Sequence, residues 1–242
     1  MWLGDTVVLT ARDREIVKWI GRHGVVRSEH VMTRFSMGRT STYRRLHLLV
    51  DYGLVRRHRL LYDDGGLLTA TAEGLRWAEL HRLSPPRISL SLVPHMIASA
   101  ALAAELEPQL VRGTLLSDRE HRAAENAAGR PLASAVLGFD RPDRARLHRP
   151  DFALVGAGGE QMVAIEIELT LKTRTRLERI LRGYLRNRNV ASVRYYTSPQ
   201  IGDAVRGAAR TAGADRLLEI VPLPPTKTST IRSLDGRHHR AA

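Results

Sequence analysis

Cysteine is absent from the 242 residues, which excludes a disulfide-stapled fold, a thiolate zinc site and a cysteine nucleophile. Aromatic residues are scarce, at three tryptophans, six tyrosines and three phenylalanines. A platform that stacks single-stranded bases needs more of them, so duplex nucleic acid is the expected target. Lysine is nearly missing: of 38 basic side chains only Lys18, Lys172 and Lys227 are lysines, leaving 35 arginines. Long apolar runs are lacking too. The most apolar stretch, 90–104, falls short of the ~20 residues a spanning helix needs and contains Pro94 and His95. Met1-Trp2-Leu3-Gly4-Asp5 shows no basic start followed by an apolar run. The expected location is the cytoplasm, on the nucleoid, with no membrane partner.

What is present is arginine in two concentrations. The net charge is +13, and residues 10–61 carry 12 basic and 4 acidic side chains while residues 172–188 carry 7 and 1. Guanidinium forks suit phosphates and guanine edges, and such a field gathers polyanions, so double-stranded DNA is the expected partner. With 43% apolar residues the chain can bury a core, and at ~100–200 residues per domain it has room for two units. Pro85-Pro86 marks the break: 1–88 reads as one domain, 89–225 as a second, and 226–242 as a basic flexible tail.

In the first unit, Thr10 with Asp13 forms a capping box with Asp in place of Glu, and Ile16, Val17 and Ile20 follow at helical spacing. Ser28 starts a second helix. A third begins near Gly38 with Tyr43, Leu46, Leu49 and Val50 inward and Gly53 as a left-handed cap. A hairpin over 54–69 turns at Asp63-Asp64-Gly65-Gly66, and a fourth helix runs from Thr71 to about Leu83. With that inner stripe, Arg39, Ser41, Thr42, Arg44, Arg45 and His47 project outward from the third helix, and Arg56, Arg57 and Arg59 lie on the strand beside it. Those are positions from which base edges and phosphates are met. The plainer alternative is that they are solvated charges on a small helical domain.

In the second unit a nearly all-apolar helix spans 93–106, a strand-like run follows at 111–116, and 117–128 reads as helix. The stretch 129–149, with RPLASAVLGFDRPDRARLHR, reads as a long basic loop. Asp151 then leads a strand over 152–155, Gly156 to Gly159 turns, and a second strand over 162–170 returns. Period-two alternation puts Ile165, Ile167 and Leu169 on one face of it and Glu166, Glu168 and Thr170 on the other. Asp151, Glu166 and Glu168 can thus converge as hard oxygen ligands of the kind that hold magnesium or manganese for phosphodiester hydrolysis. Alternatively the two glutamates line the solvent face of an edge strand and pair with Arg174 and Arg176. A basic helix follows with Leu177, Ile180, Leu181, Tyr184 and Leu185 inward and Arg174, Arg179, Arg182 and Arg186 outward; Arg174 and Arg182 are further DNA-contact candidates. His95 reads as a packing or capping residue.

LTARDREIVKWI and the helices and hairpin after it resemble the winged helix-turn-helix of bacterial regulators and plasmid DNA-binding proteins. Pro150-Asp151 with Glu166-Ile167-Glu168 resembles the PD-(D/E)xK motif of the restriction-endonuclease-like core, and the order of elements over 93–221 is similar. RPDFALV, AIEIELT and RLERILRGYLR make residues 8–222 similar to the replication-relaxation family of plasmid and mobile-element proteins. The resemblance implies an α/β (α+β) chain, an N-terminal winged helix and a C-terminal nuclease-like domain, with Asp151, Glu166 and Glu168 as metal ligands and Lys172 assisting catalysis. The motif's lysine falls at Glu168; Glu120 or Glu125 is the expected source of a further ligand. The function read from this is duplex-DNA binding with further binding or Mg/Mn-dependent nicking by the second domain. The alternatives are a transcriptional regulator with a non-catalytic dimerisation domain, acting as a homodimer, and an adaptor using its helices on a protein.

Overall fold

The computed structural model describes residues 8–59, 66–141, 144–156, 158 and 161–224. The turn at Asp63-Asp64-Gly65, Ala157 and Gly159 of the glycine turn, and the tail 226–242 lie outside the described residues. The fold is mixed α and β. In chain order come α1 (Ala11–His23), α2 (Ser28–Phe35), α3 (Arg39–Asp51), β1 (Val55–His58), β2 (Leu67–Ala70) and α4 (Ala72–Trp77). Then follow α5 (Val93–Leu106), β3 (Thr114–Ser117), α6 (Asp118–Ala128), β4 (Ala135–Arg141), β5 (Arg144–His148), β6 (Phe152–Val155), β7 (Met162–Glu168), α7 (Arg174–Leu185), β8 (Val190–Thr197), α8 (Pro199–Ala212) and β9 (Leu218–Pro222). Among the described residues no helix is long and apolar enough to cross a membrane.

Local chemistry sets most boundaries. The Thr10 hydroxyl accepts from the Asp13 backbone N–H while the Asp13 carboxylate accepts from the Thr10 N–H at 2.8 Å, the reciprocal cap the spacing predicts. After α3, Gly53 sits at φ +69°, the left-handed position expected of it. α4 stops at Trp77, short of the Leu83 expectation, because Glu79 turns left-handed at φ +62° and the chain folds Leu75 and Leu80 back onto Gly21 of α1. The expected loop at 129–149 is a correction: β4 and β5 pair antiparallel across it, Ala135 opposite His148 and Val136 opposite Leu147. Arginines interrupt the apolar alternation there, which hid the ribbon from a pattern based on hydrophobicity. Leu185, expected inward on α7, is 46% exposed.

The main sheet has the order β3-β6-β7-β8-β9, with β3-β6 and β6-β7 antiparallel and β7-β8 and β8-β9 parallel. β7 is therefore its central strand. Ile165 and Ile167 face α5, whose Ala100, Ala103 and Ala104 pack closely enough to share a core with them and with Phe152. On the other face Leu177, Ile180, Leu181 and Tyr184 of α7 and Val205, Ala208 and Ala209 of α8 cover Ala164, Val193 and Tyr195. Each valine, leucine or isoleucine among them contributes roughly 1.5–3 kcal/mol when fully buried.

The boundary expected at 88/89 falls in the stretch 78–92, which has neither helix nor strand. The core nonetheless runs without a gap from Ile16, Ile20, Leu46 and Leu49 through α5 to Ile165 and Ile167. An ionic cluster closes the same junction. Glu107, just past α5, takes Arg22 Nη1 at 3.0 Å and His23 Nε2 at 3.1 Å on one oxygen and Arg34 Nε at 2.7 Å on the other. Arg22 also reaches Glu120 at 2.7 Å, and Arg119 donates to the Gly21 and Ser84 carbonyls. Burial alone raises the Glu107 carboxyl, but the His23 hydrogen bond and the charges of Arg22 and Arg34 reverse this and hold it at about 2.

Two expected outcomes follow for stability. Glu107→Gln takes the carboxylate from Arg34 and leaves Arg22 with Glu120 alone, and should cost about 3–5 kcal/mol in denaturant unfolding at pH 7. Because the folded carboxyl is depressed, its contribution is present above the ordinary value of 4.5 and fades as pH falls toward about 2, so the gap between parent and variant should narrow in that window. Separately, a Cβ on Gly74 would lie 2.0 Å from the Leu54 carbonyl oxygen, whereas one on Gly207 of α8 meets nothing within 4 Å. Gly74→Ala should therefore lower the melting temperature and cost about 1–3 kcal/mol or more, while Gly207→Ala should gain up to about 1 kcal/mol; equal effects of the two would contradict the packing described.

Candidate functional site

Asp151 stands just before β6, and Glu166 and Glu168 occupy the second half of β7, near enough for the three carboxylates to influence one another's ionisation. Phe152 is the register partner of Ile165, so Asp151, one residue earlier, comes level with the following pair and accepts the Ile167 N–H on Oδ2 at 2.7 Å. Glu166 and Glu168 are each 3% exposed on the α7 face. β7 has β6 on one side and β8 on the other, so the edge-strand arrangement does not hold. Arg174 pairs instead with Glu178 at 3.0 Å.

Each carboxylate has a base of its own. His95 Nε2, from the first turn of α5, lies 2.7 Å from Asp151 Oδ1. His148 Nε2, at the foot of β5, lies 2.8 Å from Glu166 Oε1, and the buried Tyr184 hydroxyl donates to that same oxygen. Lys172 Nζ bonds Glu168 Oε2. The Glu168 carbonyl in turn accepts the Thr197 hydroxyl at 2.7 Å, tying β7 to β8. A cavity of about 210 Å³ reaches the His95–Asp151 pair from the junction of the two halves, past Gly24, Pro86, Ser99 and Arg119.

The protonation directions follow from these pairs. The hydrogen bond to Asp151 lifts His95 above its ordinary 6.5 against the effect of burial. Burial alone lowers His148, but the charge and hydrogen bond of Glu166 carry it upward. Glu166 is likewise pushed up by burial and pulled below its ordinary value by His148, then by Tyr184 and Lys172. Asp151 is raised by burial, with His95 opposing. Burial also raises Glu168, aided by the neighbouring carboxylates and opposed by Lys172. Tyr184 and Tyr195 rise well above 10 because they are buried beside these charges.

This donor set does not fit a divalent ion as it stands. Both Asp151 oxygens are engaged, Glu166 Oε1 is shared by two donors, and Glu168 Oε2 holds Lys172. Among the described residues no three histidine, aspartate or glutamate side chains are arranged to hold a metal. The further ligand expected from Glu120 or Glu125 is also a correction. Glu120 caps α6 through Ser117 and pairs with Arg22. Glu125 is buried elsewhere, accepting from the Leu132 N–H at 2.8 Å, the Ser134 hydroxyl at 2.9 Å and Arg149 at 3.2 Å.

The second group of candidates lies on α3 and β1. Ser41, Arg44 and His47 are exposed on α3 opposite the buried Leu46 and Leu49, and Arg56 and Arg59 are exposed on and after β1. Arg39 is exposed over the Tyr43 ring, 5.8 Å from its centre. Thr42 is a correction: it is fully buried and its hydroxyl donates to the Gly38 carbonyl at 3.0 Å, holding the first turn of α3. Arg45 is half-buried and lies 3.5 Å from the buried Asp13 of α1, and Arg57 is half-buried. Arg174 and Arg182 lie on the outer side of α7, both bonded to Glu178 and to Thr211 of α8.

His95, His148 and Tyr184 are site residues that the sequence reading placed elsewhere. The signal for His148 was its position two residues before Pro150-Asp151; it was masked by reading 129–149 as loop. Because both histidines are raised, their stabilising charge is complete below 6.5 and is lost as pH rises through their folded midpoints. Ring-proton NMR should show both titrating above 6.5, whereas His30, buried and beside Arg27, should stay neutral down to about 3. His148→Gln should cost about 1–3 kcal/mol at pH 6 and less at pH 8.5; a larger cost at the higher pH would reverse the assignment. A scan of the chain against protein-family models finds no match, and a search of the curated proteins finds none either.

Proposed function

We propose that this chain is a duplex-DNA-binding protein of a plasmid or another mobile element. On this reading α1 to α4 with β1 and β2 form a winged helix-turn-helix that recognises the site. The sheet β3-β6-β7-β8-β9 with α5, α7 and α8 forms an endonuclease-like unit that adds contact with the duplex. The observation that carries the reading is the outer face of α3, where Ser41, Arg44 and His47 stand exposed, together with the exposed Arg56 on β1, a strand in contact with α3. A helix of this kind sits in the major groove with a basic strand over the adjoining backbone. The order of helices and hairpin supports it, as does the similarity of RPDFALV and AIEIELT to the replication-relaxation family.

For the second unit we propose binding without strand cleavage. Its three carboxylates are paired with His95, His148 and Lys172, so their charge is spent inside the protein. A regulator with a non-catalytic second domain shares this feature, and a two-fold footprint on a palindrome would separate it from a mobile-element protein acting at a single site.

Affinity for a mixed-sequence duplex should fall steeply with salt, log K dropping by about 0.9 per tenfold rise in salt for each phosphate neutralised. Arg44→Ala and Arg56→Ala should each reduce that slope by about 1 with the fold intact, as read by fluorescence anisotropy and thermal melting. A flat salt response would remove the DNA reading. Supercoiled plasmid incubated with the protein and Mg²⁺ or Mn²⁺ should remain supercoiled; nicking that disappears in Asp151→Ala would overturn the non-cleaving assignment.

A further inference from the structure

The base of the β4–β5 ribbon covers the core through Ala135 and Leu137, but its outer part, from Phe139 on, does not. Burial along β4 falls from buried at Ala135, through half-buried Val136 to Gly138, to exposed Phe139, Asp140 and Arg141. Only its base is fixed: Gly183 lets α7 approach so closely that a Cβ there would lie 3.0 Å from Ala135 Cβ, Arg186 donates to the Val136 carbonyl at 3.3 Å, and His148 holds Glu166. Phe139 is 65% exposed in a chain with three phenylalanines. Arg141 and Arg146 are exposed around it, and the acid paired with Arg146 among the described residues, Asp140, is 3.8 Å away with both side chains about half exposed, so it holds the arginine only weakly.

Resting on the duplex-DNA reading above, we propose that this ribbon is a second DNA arm: it enters a groove, Arg141 and Arg146 take the flanking phosphates, and the Phe139 ring wedges against a base step and bends the duplex. Its dimensions agree. At about 3.3 Å per residue the three exposed positions of β4 reach about 10 Å, enough for a groove about 7.5–8.5 Å deep, and a two-stranded ribbon is narrow enough to enter one. An apolar ring between basic side chains is the means by which proteins unstack a step and kink DNA. Charge selects the occupant. The ribbon stands on the end of α7, where the exposed Arg186 donates to the Val136 carbonyl and the exposed Arg188 follows, so a polyanion is drawn to this surface, whereas a second copy of the chain would set arginines against arginines.

The test uses the full chain and a 30-base-pair duplex labelled at both ends, bending being read by energy transfer and affinity by anisotropy across a salt series. The parent should bend the duplex. Phe139→Ala should lose half or more of the bend while its melting temperature stays unchanged, since the ring is exposed. The double variant Arg141→Ala/Arg146→Ala should bind roughly five- to tenfold more weakly or worse and lower the salt slope by about 2. If both variants bind, bend and respond to salt as the parent does while Arg44→Ala still weakens binding, the arm is wrong and the DNA reading stands. If the parent binds no duplex, both fall. A Phe139→Ala chain that bends DNA normally but sediments as a monomer where the parent is a dimer would assign the ribbon to a second copy and overturn the proposal.

Discussion

One buried carboxylate, Glu107, ties the amino-terminal helices to the sheet. It stands at the end of α5 and gathers Arg22 and His23 of α1 and Arg34 of α2. An apolar surface alone would let α1 and α2 slide over α5, because hydrophobic contact has no preferred direction. The charge-assisted hydrogen bonds supply the direction and set one register between the halves. The orientation of α3, which packs on α2 and α1, and the depth at which His95 of α5 meets Asp151 are both consequences of that register.

The same logic recurs at the centre of β7. A central strand with two glutamates pointing into the α7 face is costly unless every charge is answered: the ribbon's His148 and Tyr184 of α7 answer Glu166, Lys172 before α7 answers Glu168, and His95 of α5 answers the neighbouring Asp151. Four parts of the chain must be in place before the strand can be buried. The cluster thus works as a check on assembly as well as a concentration of charge.

Much of this was legible in the amino-acid order. Period-two alternation put Glu166 and Glu168 on one side of a strand; the Thr10 and Asp13 spacing gave the first helix its start. What failed did so for physical reasons. Thr42 has the outward spacing of a contact residue, but its hydroxyl finds the Gly38 carbonyl and turns in. The ribbon was invisible because an element that projects into solvent carries no hydrophobic period. His148 was lost with it, since its role depends on a pairing between strands distant from β7 in sequence. A fourth helix written to Leu83 gave way to tertiary packing of Leu80 on α1, which no local propensity reports.

The sheet also has an unusual itinerary. Ser117 and Phe152 are direct partners across β3 and β6, so the chain leaves the sheet at one point and re-enters it a single strand spacing away after α6, the ribbon and Asp151. A short turn would close the same two strands, and the additional loop-closure entropy of the excursion is only roughly 2 kcal/mol, because that penalty grows with the logarithm of length. The excursion weighs more heavily on kinetics, since β3 and β6 can zip together only after a long intervening segment has ordered. In architectural terms only the outer part of the ribbon is a pendant on a closed clasp: beyond Val136 and Leu147 it can change over evolutionary time while the strands on either side keep their register, whereas Arg119, Glu120, His148 and Asp151 on the same excursion are held by their partners.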